Sequence, residues 1–269
     1  MKNRLFLNPL NDLAAEPLAA RDVLSTPTIV TKIDEGPHYQ GFYNQLKQEF
    51  VSARYIYYEG IFNNEVHFSD MDTSLVDTLD YPCYSLACEK TKIAFRLAYS
   101  LFDKIAYFLN HYLHLSIPEK SVYFRSLWYV SSNEKGSIRD GLINRKNLPL
   151  FGLFWLSKDL FDEAFKETME PEGEQLNELR NSLEHKYLKL HQDWWAPDSG
   201  DWLSKDALAY SLTRNDLAKR TLRLLKTARA ALIYLSLTIH REEAQRYTNE
   251  DRAKMGQILV TPYEDDWKT

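Results

Sequence analysis

"YSLACEKTKIAFRLAYSLFDKIAYFLNHYLH", residues 84–114, contains no glycine and no proline. Its apolar residues recur at helical spacing over a wide arc, the pattern of a helix buried around most of its circumference. One stripe differs. Glu89, Arg96, Asp103 and Asn110 recur every seven residues and so share nearly one face. A solvated surface is the commoner reason for such a stripe; a polar seam lining a site is the sharper one.

Working outward, helical periodicity returns at 39–58, 149–168, 174–192 and about 204–246. "MEPEGEQ" and "DWWAPDSGDW" separate these segments as breaker-rich loops. Residues 116–148 hold "SVYFRSLWYV", a short strand or a buried turn, and the loop "SSNEKGSIRDG". Prolines 9, 17, 27 and 37 mark residues 1–38 as an arm of short turns laid on the body. Only nine glycines and ten prolines occur in 269 residues, which favours helices over many strands. The expected fold is therefore all-α: a helical bundle over 39–246, with an irregular arm at 1–38 and a tail at 247–269.

A net charge of −5 makes the whole surface unattractive to nucleic acid, so any such contact must use a local basic patch. Arg220, Arg223, Lys226 and Arg229 recur every three residues as a basic ridge; ordinary solvated charge is the commoner reason for it, and a track for RNA phosphates is the sharper one. The two cysteines, Cys83 and Cys88, suit a reduced thiol pair. His111 and His114 lack a third ligand nearby, and Asp70 and Asp72 read as an exposed acidic turn, so no metal site is expected. No phosphate-binding glycine loop, nucleophile elbow or dinucleotide fingerprint occurs, and no cofactor is expected. No stretch has the length and apolarity of a signal peptide or a membrane span; a soluble, cytoplasmic protein with no membrane contact is expected.

The chemistry concentrates in "LNELRNSLEHKYLKL", residues 176–190. On a continuous helix Leu176, Leu179, Leu183, Tyr187 and Leu190 form a core stripe, and Asn181, His185, Leu188 and Gln192 lie opposite. Arg180 and Glu184 fall between, one turn apart, where they are expected to pair. Arg180 and His185 are separated by roughly 140° and about 7.5 Å of rise, too far for one helix to turn both onto one phosphate. Two copies about a two-fold axis solve this, with the Asn181/His185/Leu188 faces meeting.

"RNSLEHKY", together with "KTKIAFRLAYSLFDKIAYFLNHYL", resembles the signature of HEPN domains, helical bundles whose motif is an arginine, usually a polar residue, and a histidine four to six positions on. The resemblance spans residues 80–245 and points to a bacterial subfamily often linked to helical repeats, although no repeat array is present here. It implies a metal-independent endoribonuclease in a defence, stress or toxin system, acting as a homodimer with a composite site. Carried over, Arg180 binds the phosphate, His185 moves protons as the ribose 2′-OH attacks, and Asn181 orients the histidine. Glu184, Arg96 and Asp103 would line the site. Tyr187 matches the tyrosine that some HEPN toxins offer to an inhibitory nucleotidyltransferase, which makes such an enzyme or an antitoxin a partner to expect. The alternative is a non-catalytic helical module that binds RNA or protein through the same faces.

Overall fold

A computed structural model describes residues 3–13, 16–32, 35–62, 65–130, 137–143, 145–161, 173–194, 206–247, 251, 256 and 260–268. The described elements are α1 (His38–Phe62), α2 (Leu86–Tyr112), α3 (Asp140–Ile143), α4 (Leu148–Phe161), α5 (Gly173–His185), β1 (Tyr187–His191), β2 (Ala209–Thr213) and α6 (Arg214–Arg246), with short 3-10 turns between them. The fold is mostly helical, as the periodicity predicts.

Helix α2 starts where Ser85 caps it, its side chain accepting from the Cys88 amide at 3.2 Å. Both carboxylate oxygens of Asp70 accept from the Leu86 amide at 3.0 Å, so the acidic turn serves this helix start. Ala94, Phe95, Ala98, Leu101, Phe102, Ile105 and Phe108 are wholly buried, and α2 packs against α1 and α6. Each such large apolar side chain contributes about 1.5–3 kcal/mol of burial. Gly60 sets the closeness of α1 to α2: a Cβ there would stand 2.6 Å from Thr91 Oγ1 and 2.9 Å from the Ala87 carbonyl. Tyr43 and Tyr57 on α1 bury their rings and donate their hydroxyls to α6 carbonyls, at Leu232 (3.2 Å) and Ala218 (3.1 Å). The 122–129 stretch is a buried turn, with Phe124, Leu127 and Trp128 in the core. Of the helix expected at 149–168, Leu148–Phe161 is observed; 162–168 lie outside the described residues, as does most of "DWWAPDSGDW".

Two boundaries differ from expectation. The helix expected to run to residue 192 stops at His185, and the chain becomes β1. The helix expected from about 204 begins only at Arg214, after β2. The strands pair in parallel, Tyr187 opposite Ala209 and His191 opposite Thr213. On its other edge β1 meets residues 81–83: the Cys83 amide donates to the Leu190 carbonyl at 2.7 Å, and the Gln192 amide to that of Tyr81 at 3.4 Å. Switching from helix to strand changes the side-chain period from 3.6 to 2, so residues 187 and 188 exchange sides. Leu188, expected on the exposed face, is buried; Tyr187, expected in the core, is exposed.

Lys189 is the reason a strand can stand there. Its ammonium is buried, 2.6 Å from Asp80 Oδ2 and 3.3 Å from Asp206 Oδ2. Beside it His191 is fully buried, its Nδ1 2.8 Å from the Asp80 carbonyl and its Nε2 3.2 Å from Ser211 Oγ. Burial pushes the Asp80 carboxyl up, but hydrogen bonds from Lys189 and Thr78 outweigh it and hold Asp80 below the usual carboxylate range. Asp206 is held low chiefly by the Leu208 amide, with Lys189 adding to it. Burial lowers the His191 imidazole.

The N-terminal arm is fixed by two arginines. Arg54 makes a bidentate pair with Asp22, both contacts 2.8 Å. Arg229 is buried and donates to the carbonyls of Phe6 (2.6 Å) and Asn8 (2.9 Å) and to the Asp12 carboxylate at 3.0–3.1 Å. The expected basic ridge is therefore broken. Arg229 holds the arm, Arg220 donates to the Tyr210 hydroxyl at 2.9 Å, and Arg223 is half-buried near Asp159; Lys226 alone of the four is exposed.

Three outcomes follow from these contacts. Lys189→Met should cost about 3–5 kcal/mol in chemical unfolding, because Asp80 stays buried without its partner, and adding Asp80→Asn should restore part of that. Arg229→Ala should cost about 2–4 kcal/mol and render residues 3–30 sensitive to limited proteolysis. The lowered groups protect the fold above their ordinary values and lose that contribution as pH falls through their folded ones. Thermal stability should thus decline once below about pH 6.5 and again below about pH 3.8, and His191→Gln should remove only the first decline.

Candidate functional site

Side chains from α1, α2 and α5 enclose an open groove of about 570 Å³. The α2 stripe supplies Arg96 and Asp103, with Tyr99 between them; α5 supplies Arg180 and Glu184. The seven-residue stripe thus forms a seam over half its length. Its ends do other work: Asn110 is buried and bonds both the amide and the carbonyl of Ile117, while Glu89 pairs with Lys92 at 2.7 Å.

Arg96 reaches across to α5. It donates to the Leu183 carbonyl, one of the four a helix end leaves without a partner, and lies 3.6 Å from Glu184 Oε1. Glu184 therefore pairs with Arg96, and not with Arg180 as helical spacing suggests. The reason is direction: a cation on a neighbouring helix serves a C-terminus and the carboxylate beside it at once.

Arg180 is free of that pairing. Its Nη1 donates to Asn181 Oδ1 at 3.1 Å, and its guanidinium lies 5.7 Å from the centre of the Tyr99 ring. Among the described residues it forms no ion pair, and it lines the groove. Asp103 sits deeper and accepts from the Phe124 amide at 3.0 Å. Burial raises its carboxyl above the ordinary value, while that amide and the Arg180 charge oppose the shift. Burial likewise raises the Tyr99 phenol, and Asp103 adds to it.

His185 is the last residue of α5 and is exposed. Among the described residues nothing hydrogen-bonds its ring, and it does not line the groove. One chain thus brings together Arg180, Asn181, Glu184, Arg96 and Asp103, and leaves His185 outside. Tyr187 follows two residues later, its hydroxyl 3.4 Å from that of Tyr84. That hydrogen bond pushes the Tyr187 phenol up to about 12.

Sequence reasoning missed Tyr99 and the Lys189 cluster. The cluster had a signal: Tyr187, Lys189 and His191 alternate with Leu188 and Leu190, the period-2 mark of a strand. Among the described residues no group of three or more His, Cys, Asp or Glu side chains is arranged to hold a metal ion, and no helix is long and apolar enough to cross a membrane.

No curated protein and no solved structure gives a significant match to the chain. Residues 30–242 match the family model described as LA2681-like HEPN, which covers α1 and everything from there to the last turns of α6. The chain belongs to the HEPN superfamily, within this LA2681-like family.

Proposed function

We propose that the protein is a metal-independent endoribonuclease that works as a homodimer, with Arg180 and His185 as its catalytic residues. The observation that carries this reading is the contrast within one helix. Arg180 lines a groove without an ion-pair partner among the described residues, and five residues later His185 stands exposed, with no hydrogen bond to its ring among those residues. A second copy, docked about a two-fold axis near the ends of the two α5 helices, would bring each His185 toward its mate's Arg180.

The chemistry needs few parts. A neutral imidazole takes the proton from the ribose 2′-OH, and that oxygen attacks the adjacent phosphorus. The bond to the 5′-oxygen breaks, and an imidazolium returns a proton to the leaving oxygen. Arg180 stabilises the charge gathering on the phosphoryl oxygens, for which its planar fork is suited. The products are a 2′,3′-cyclic phosphate and a 5′-hydroxyl. Water need not be activated, and no metal takes part in these steps.

A non-catalytic binding module is favoured by one feature. Two of the groove's cations are already matched, Arg96 by Glu184 and Lys104 by Glu49 at 2.6 Å. The two readings differ in what they require of His185, which binding alone does not need.

Purified protein should cleave single-stranded RNA in EDTA, leave DNA intact and yield cyclic phosphate ends. His185→Ala and Arg180→Ala should each lower cleavage by about 100-fold or more while keeping the wild-type melting temperature. Equal cleavage by all three proteins would assign the activity elsewhere. Sedimentation at micromolar concentration should give twice 31.6 kDa; a strict monomer would leave the composite site without its second half.

A further inference from the structure

Close to His185 the surface carries aromatic rings that the catalytic scheme does not use. Tyr84 and Tyr187 are 47% and 40% exposed, with their hydroxyls 3.4 Å apart. Farther along the same backbone ladder Tyr81 and Trp194 are 57% and 66% exposed and meet edge to face, their centres 4.6 Å apart. The ladder that joins 81–83 to 190–192 fixes all four on two paired segments.

The backbone is also strained there. Tyr81 has φ of +57°, a left-handed conformation that costs a bulky residue energy, and the following Pro82 narrows its choices further. It is held by the Gln192 amide on its carbonyl. The fold thus maintains an unfavourable conformation at an exposed tyrosine, which burial cannot explain.

We infer that Tyr84 and Tyr187, with Tyr81 and Trp194 beyond them, form a stacking platform for unpaired RNA bases flanking the scissile phosphate. This rests on the endoribonuclease reading and adds to it the side chains that would hold the bases beside the cut. Only Lys186 separates Tyr187 from His185, so a nucleotide whose phosphate lies at His185 has its neighbouring base within reach of the Tyr84–Tyr187 pair. Base faces stack on aromatic rings without regard to sequence, and the phenol hydroxyls can bond base edges. Exposed Lys186 stands between His185 and Tyr187, where it meets the backbone of the same strand. A base-paired helix would present only phosphates and groove edges to this surface and gain nothing from its rings.

The test uses the full chain and a fluorescein-labelled single-stranded RNA 12-mer, with and without one abasic ribose beside the cleaved linkage. Binding is read by anisotropy on His185→Ala protein, and KM and kcat on wild type. Adding Tyr84→Leu/Tyr187→Leu, at two exposed positions, should weaken binding about 5- to 100-fold. It should raise KM more than it lowers kcat. The abasic RNA should lose a similar factor against the tyrosine-containing protein, and little more against the leucine variant. RNA that is cut with unchanged KM by the leucine variant would overturn the platform and leave the nuclease reading intact. RNA bound through the tyrosines but never cut would overturn the nuclease and keep the platform. Unchanged RNA binding with altered sedimentation would make the patch a protein interface, and the inference would fall.

Discussion

The ammonium of Lys189, buried between the carboxylates of Asp80 and Asp206, fixes the segment on which the candidate site depends. Burying the Lys189 and Asp80 charges is costly, and the arrangement is stable only while each has its partner. Its consequence is positional. Lys189 links the loop before α2, strand β1 and the turn before β2, just beyond the point where the chain leaves helical geometry after His185. On the other side Arg96 takes the Leu183 carbonyl and steadies the same last turn. Helix α5 thus ends at a place set from both directions, with its histidine outside.

That placement separates two tasks along one helix. Arg180 belongs to the groove, near the half-buried Asp103 and the Tyr99 ring, where a phosphate would meet a guanidinium hydrogen-bonded to the neutral amide of Asn181. His185 belongs to the rim. The groove's other charges nearly cancel, so attraction for an anion centres on Arg180. On the proposed reading, the groove would gain its proton-transfer group from a second copy docked against the rim.

Much of the scaffold was legible in the chain. Helix α2, expected at 84–114 and observed at Leu86–Tyr112, could be placed to within two residues at each end because neither glycine nor proline interrupts its apolar arc. Of the seven-residue polar stripe, Arg96 and Asp103 line the groove with Arg180. Strand β1 had only the weak signal of five alternating residues beside a long helical stretch, and a buried lysine contradicts the expectation that charges face water. Yet Thr213 with Asp216 three residues later is a helix-start signal, and the Thr213 side chain does accept from the Asp216 amide at 3.1 Å. Arg229 could not be foreseen either. Its partners lie more than 200 residues away, and spacing alone cannot tell an arginine that binds phosphate from one that clamps an arm.

The nucleophile is where the account is most exposed to test. A single-stranded RNA cut at one known linkage should be compared with the same strand carrying one 2′-deoxyribose on the 5′ side of that linkage, using wild-type protein in EDTA. The account predicts that the substituted linkage is not cut, while the strand still competes for binding. Cleavage of the deoxy linkage at the rate of the all-ribose strand would contradict it, because the attacking oxygen would then have to come from elsewhere.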